Sequence, residues 1–264
     1  MKTININSSI NITRIIFPDN QPHIRIEGIE EGDDVRVICS ITDSAVLIQL
    51  LECANAIENA FAKKKTLVIP YLMGARYDRL MQKGDSIDLK VIAMLINSME
   101  FEKVYLFDVH SDASLLLINN SVNISNAELV KAYNKENAVL ICPDAGASKK
   151  ISGYLKLNNI TDVAYCTKSR DLSNGHITLK VNEPEKCINR NCVIIDDICD
   201  GGATFLTIAE QIKPEHLVLI VTHGIFSKGF ETLEKRFDEI IVSDSYCKTY
   251  TSPIVKTIKA TITE

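Results

Sequence analysis

An α/β fold with largely parallel sheets flanked by helices is what this sequence predicts, and three observations predict it. Short β-branched runs recur along the 264 residues. Between many of them lie stretches whose apolar residues return at helical spacing. Polar and acidic residues collect just past the ends of the runs, where open parallel sheets bind ligands.

Taken in order, the runs are DVRVICSI, KTLVIPYL, KVYLFDV, AVLICPD, VAYCTK, CVIIDD, HLVLIVTHG and EIIVSDS. Continuous apolar runs of this length are expected for strands buried on both faces, and several end in Asp, Pro, His or Gly. The intervening AVLIQLLECANAIENAF, LKVIAMLINSM, ASKKISGYLKLNN and FLTIAEQI carry the helical pattern. Across residues 119–135 the apolar strand pattern lapses before restarting at AVLICPD. Two α/β domains are therefore expected, 1–125 and 126–264, with no short-period repeat.

A hydrophobic content of 46% suffices for a substantial core, and a net charge of −5 provides no footprint for nucleic acid. The run Lys63 to Lys65 reads as a solvated helix end. No apolar run approaches the roughly 20 residues that cross a bilayer, and the first residues lack a signal-peptide pattern, so a soluble, cytoplasmic protein with no membrane partner is expected. Eight cysteines without a CxxC pair predict reduced, mostly buried thiols rather than a zinc site or disulfide framework.

The stretch CVIIDDICDGGATF, residues 192 to 205, holds the most chemistry. Its apolar strand ends in Asp196 and Asp197, whose adjacent carboxylates can accept hydrogen bonds from ribose hydroxyls or help hold Mg²⁺. Asp200, Gly201, Gly202, Ala203 and Thr204 follow, offering bare N–H groups and one hydroxyl where a helix starts, a natural phosphate cradle. Acids for sugar and amides for phosphate point to a ribose phosphate. The same letters also occur in other α/β proteins, where the glycines only make a turn. Cys199, inside the loop, reads as a small space-filling residue.

Hydrophobics followed by DDxxDxxxT resemble the phosphoribosyl-binding loop of type I phosphoribosyltransferases and of ribose-phosphate pyrophosphokinases. Further segments, in order, favour the second family. IPYLMGARYDR resembles its ARQDR segment, with Tyr77 in place of glutamine. LFDVH resembles its DLH strand end, CPDAGASKK its PDxG turn with Gly146 as the turn glycine, and TKSRDLSNGHI its flexible loop with a KxR pair. IIFPDNQPHIRI resembles its FSDGE arm, with Asn20 and Gln21 replacing Gly and Glu, and THGIFSKG its THxxFS strand end.

The resemblance implies two phosphoribosyltransferase-like halves and an enzyme, a diphosphotransferase. It would move the β,γ-diphosphate of ATP to the anomeric hydroxyl of a 5-phosphorylated ribose, releasing AMP. Phe17, Asp19, Gln21, Arg76, Tyr77, Asp78 and His110 are the implied ATP contacts, with Arg79 as a second cation of that loop. Lys168, Arg170 and His110 are implied as catalytic, and His110 and Asp144 as Mg²⁺ ligands. Asp144 also reads as a helix N-cap. Asp196 to Thr204 are the implied acceptor site, with Ser227 and Lys228 as further acceptor candidates. A homo-oligomer, at least a dimer, is expected. Because Gly201 lacks the threonine hydroxyl usual in the family and Ala203 replaces its glycine, ADP-ribose is the expected acceptor ahead of ribose 5-phosphate, with a role in NAD salvage. A phosphoribosyltransferase and a non-catalytic regulator of the same fold are the alternatives.

Overall fold

The computed structural model describes residues 1–8, 11–133, 137–144, 146–147, 151, 154–155, 162–170 and 177–260, with only the backbone of Glu128, Ser169, Arg170 and Ile177. Two compact units divide the described residues, Met1–Ser125 and 126–260.

In the first unit β1 (Lys2–Asn5), β4 (Asp34–Ile38), β5 (Lys64–Ile69), β6 (Lys103–Phe107) and β7 (Ser121–Ile124) form a sheet in the order β1-β4-β5-β6-β7. Every pairing in it is parallel. An antiparallel hairpin, β2 (Ile12–Ile16) with β3 (Pro22–Ile26), stands beside the sheet as its own two-stranded ribbon. Helix α1 (Ser44–Asn59) starts where the Asp43 side chain accepts a 2.9 Å hydrogen bond from the Val46 N–H. That bond satisfies one of the amides a helix start leaves open. Leu47, Leu50, Ala54 and Ile57 recur on the buried face of α1 and join the core with Val37, Leu67 and Leu106. Each such side chain stabilises the unit by roughly 1.5–3 kcal/mol. Helices α2 (Asp88–Asn97) and α3 (Ala113–Leu117) complete this unit.

In the second unit β8 (Val139–Cys142), β9 (Asp162–Arg170), β10 (Ile177–Val181), β11 (Asn191–Cys199), β12 (His216–Gly224), β13 (Glu239–Ser243) and β14 (Val255–Ile258) take the order β10-β9-β8-β11-β12-β13-β14. Only β9 and β10 pair antiparallel; the other pairings are parallel. Successive residues of β11 enter different cores: Cys192 and Ile194 one, Val193 and Ile195 the other. Side chains alternate across a strand, so burial on both faces requires the unbroken apolar run. Short helices α4 (Ala127–Lys131), α5 (Ala203–Ala209) and α6 (Glu231–Glu234) accompany the sheet.

Two expectations change. The lysine run does not end a helix: α1 stops at Asn59, and Lys64 opens β5. Lys65 pairs with Glu58 and lies over the Phe101 ring, so its charge is matched and its stem covered. Residues 119–135, which lack a strand pattern, include edge strand β7 and helix α4. An edge strand is only half-buried and does not need a continuous apolar run. Much of the expected helix at ASKKISGYLKLNN lies outside the described residues.

Candidate active site

In the first unit the chain leaves β5 and turns at Gly74, whose φ is +76° and whose missing Cβ would sit 2.5 Å from Ile92 Cδ1. A left-handed residue pressed against a core side chain must be glycine here. The turn closes with a 3.1 Å bond from the Tyr77 N–H to the Gly74 carbonyl, and the Leu89 N–H at the start of α2 donates to the Tyr77 carbonyl. Arg76 and Tyr77 face solvent, while the Asp78 side chain is 11% exposed. Asp78 Oδ1 accepts from Arg79 Nε at 2.8 Å, and Oδ2 from Ser111 Oγ at 2.6 Å. The Arg79 hydrogen bond, against the opposing effect of burial, holds the Asp78 carboxyl below the usual carboxylate range. The Ser111 hydroxyl and the charges of Arg79 and His110 act in the same direction. Asp78 is thus a fixed anion between the ARxDR loop and the residues after β6.

His110 follows β6 through Asp108, a buried residue with φ of +44°. The Asp108 N–H donates to the Ile124 carbonyl and the Val109 N–H to Asn123 Oδ1, so β7 sets the path that leaves His110 exposed. Phe17, Asp19 and Gln21 occupy the exposed tip between β2 and β3. The Phe17 N–H donates to the Gln21 carbonyl and the Gln21 N–H to Asp19 Oδ1. Asn20 has φ of +67°, a conformation that asparagine tolerates better than most residues, which explains how it stands in for glycine. Among the described residues no hydrogen bond joins this tip to the Arg76–Arg79 loop.

In the second unit, Asp144 follows β8. Its Oδ1 accepts from the Ala147 N–H at 3.0 Å, so it caps the turn, and the Cys142 thiol donates to its carbonyl. Burial pushes the Cys142 thiol up to about 11, and the charges of Asp144 and Asp196 add to the rise. Both acids therefore lie near the same thiol, at the carboxyl ends of β8 and β11.

Asp196 and Asp197 belong to β11 itself, which runs on to Cys199 rather than stopping before the acids. Asp196 lies opposite Val221 of β12 and is half-exposed, whereas Asp197 is 5% exposed. Pairing to β12 extends the strand, and strand alternation makes the two carboxylates inequivalent. The Asp197 N–H donates to Asp196 Oδ1 at 2.8 Å. Burial pushes the Cys199 thiol up to about 12, with the charges of Asp196 and Asp200 adding to the rise, as befits a filler rather than a nucleophile.

Past β11 the loop is bolted to the one after β12. The Ile225 and Phe226 N–H groups both donate to the Cys199 carbonyl, and Ser227 Oγ donates to Asp200 Oδ1 at 2.6 Å. Gly202, with φ of +77°, begins α5, and Ala203 and Thr204 form its first turn. Lys168 is an exposed residue of β9 opposite Leu179 of β10. Arg170 is paired through its backbone with Ile177, and residues 171–176 of the expected flexible loop lie outside the described residues.

The donor chemistry suits magnesium carried on nucleotide phosphates, since that ion takes one or two protein carboxylates and fills its remaining positions with phosphate and water oxygens. Among the described residues no three His, Cys, Asp or Glu side chains gather as a metal cage. Asp144 Oδ2 has no partner among them and remains available. Two residues that no motif singled out belong to these loops. Gly74 had a visible signal, since it stands between a strand and a helix. Ser111 had none, because its partner Asp78 is 33 residues away.

The model for the N-terminal domain of ribose phosphate pyrophosphokinase matches residues 2–99. A ribose-phosphate pyrophosphokinase of Pyrococcus abyssi is 28% identical over 89% of this chain and 84% of its own. That of Mycoplasma pneumoniae is 29% identical over 88% and 73%. The crystal structure of phosphoribosylpyrophosphate synthetase from Mycobacterium smegmatis superposes with a TM-score of 0.81 at 19% identity, covering 94% of this chain and 85% of that one, which shows the shared fold. Along most of its length the chain is thus similar to ribose-phosphate pyrophosphokinases, and residues 2–99 match the model of their N-terminal domain.

Proposed function

We propose that this protein is a diphosphotransferase that moves the β,γ-diphosphoryl group of ATP to the C1 hydroxyl of a ribose carrying a 5-phosphate. The C1 oxygen bonds to Pβ, the bond between Pβ and the α,β-bridging oxygen breaks, AMP leaves, and the hydroxyl proton passes to solvent or base. The observation that carries this reading is likeness to pyrophosphokinases along 89% of the chain, through both units. A phosphoribosyltransferase would use the loop after β11 but has no need of the first unit's ARxDR and FPD segments.

In this reading Arg76, with Arg79 held by Asp78, faces the triphosphate, and Phe17, Asp19, Gln21 and Tyr77 serve the base. Lys168 and Arg170 offset the charge that gathers on the transferring group. Asp196 and Asp197 orient the ribose hydroxyls, Asp196 being the more exposed of the two. The loop from Asp200 to Thr204 receives the phosphate. Bound magnesium would neutralise phosphate oxygens, and His110 and Asp144 are the side chains proposed to hold it.

Ribose 5-phosphate is the acceptor the relatives' names imply. ADP-ribose is a second reading, favoured by the single hydroxyl, Thr204, in a loop that otherwise reads Gly-Gly-Ala. Incubation with ATP, Mg²⁺ and either acceptor, with AMP and the diphosphorylated product followed by mass, tests both. No AMP with either acceptor overturns the reading. AMP with ribose 5-phosphate alone removes ADP-ribose.

A further inference from the structure

The geometry points to Lys228 as a specificity-determining residue of the acceptor loop, its ammonium binding the 5-phosphoryl group of the ribose; this rests on the acceptor role proposed above for residues 196–204. Lys228 lies two residues past Phe226, in the loop that leaves β12. Its stem crosses Gly201 so closely that a Cβ there would meet Lys228 Cδ at 3.2 Å, Cε at 3.3 Å and Cγ at 3.5 Å. The space a side chain at 201 would occupy is therefore filled by three methylenes of a lysine. The backbone at Gly201 lies outside the left-handed region, so glycine there serves the lysine's approach and not the turn.

Four contacts fix this placement. The Cys199 carbonyl receives the Ile225 and Phe226 N–H groups at 2.8 and 3.1 Å. Ser227 Oγ donates to Asp200 Oδ1 at 2.6 Å, and the Gly229 N–H closes the turn onto the Phe226 carbonyl. Phe226 also packs against Phe230 and Tyr250, with ring centroids 4.6 and 5.4 Å away. The base of Lys228 is thereby anchored while its stem lies over Gly201 and the residue stays exposed.

Among the described residues the Lys228 ammonium has no hydrogen bond or ion pair. Asp200, the nearest acid along the loop, is occupied by Ser227. A cation whose stem is clamped over a glycine, at the edge of a loop with bare amides, is suited to a phosphoryl oxygen. It supplies the charge that Gly201, Gly202 and Ala203 cannot.

The test is equilibrium binding of ribose 5-phosphate and, separately, ADP-ribose to the full chain by calorimetry, alongside AMP release at saturating ATP. Lys228→Met keeps the stem and removes the charge, and Lys228→Arg restores a cation. Loss of a charge-assisted contact predicts about a tenfold to hundredfold weaker acceptor affinity and higher acceptor KM for Lys228→Met. The KM for ATP should stay within about twofold, and Lys228→Arg should recover most of the loss. Acceptor affinity unchanged in a folded Lys228→Met, or no binding of either acceptor to the unsubstituted protein, overturns the inference. Lys228-dependent binding without AMP release leaves the inference standing and removes the diphosphoryl-transfer reading instead.

Discussion

Ser111 Oγ donates a 2.6 Å hydrogen bond to Asp78 Oδ2, joining the residues after β6 to the loop after β5. The same hydroxyl accepts the Ala113 N–H at 3.2 Å, so one serine both opens α3 and steadies the anion that holds Arg79. Ser111→Ala should raise the KM for ATP several-fold while leaving acceptor KM unchanged, and Ser111→Thr should restore it. Because the folded-state pKa of Asp78 is depressed, its contribution to stability is complete above the ordinary carboxylate value and is lost as pH falls through the folded one. The Tm gap between the unsubstituted protein and Ser111→Ala should therefore close below about pH 4. A gap that persists unchanged at pH 3 would remove Asp78 as its cause.

Lys168 leaves β9 exposed, two residues before Arg170, with its backbone opposite Leu179. A cation that stabilises charge only during transfer affects turnover more than ground-state binding. Lys168→Ala should lower kcat by about a hundredfold to a thousandfold with little change in ATP affinity. Single-turnover rates and nucleotide titrations separate the two, and an unaltered kcat would reassign the residue to the surface.

Gly74→Ala should cost about 1–3 kcal/mol, from a strained φ and a methyl driven into Ile92. Urea denaturation measures the cost. Because Arg76 and Asp78 follow this turn directly, the nucleotide KM should rise as well. Ala at Gly84, where φ is +97° but nothing lies within 4 Å, controls for backbone strain alone.

A buried polar chain in the second unit offers a stability test away from the proposed chemistry. Tyr154 donates to Asn126 Oδ1 at 2.7 Å, and Asn126 Nδ2 donates to Thr222 Oγ1 at 2.6 Å. Asn126 and Thr222 are 1% and 0% exposed, so removing one member takes a hydrogen bond from a buried partner. Tyr154→Phe should destabilise by about 1–2 kcal/mol and Asn126→Ala by more, with the pair non-additive in a double-mutant cycle. Additive losses would show that the two bonds act separately.

Local pattern determined a good deal on its own. The unbroken apolar runs required strands buried on both faces, as Val193 and Ile195 show against Cys192 and Ile194. Acids and glycines at run ends marked where ligands meet a parallel sheet, and the ordered motifs carried the resemblance to ribose-phosphate pyrophosphokinases. These features reside within a few neighbouring residues, so periodicity and turn chemistry suffice to read them. Tertiary structure alone decided the rest: that Asp197 is buried while Asp196 is half-exposed, that Ser111 holds Asp78, and that Lys228 lies across Gly201. Parallel pairing places strand ends side by side that are far apart along the chain, and the partners of a charged side chain are set by that register rather than by its neighbours in sequence.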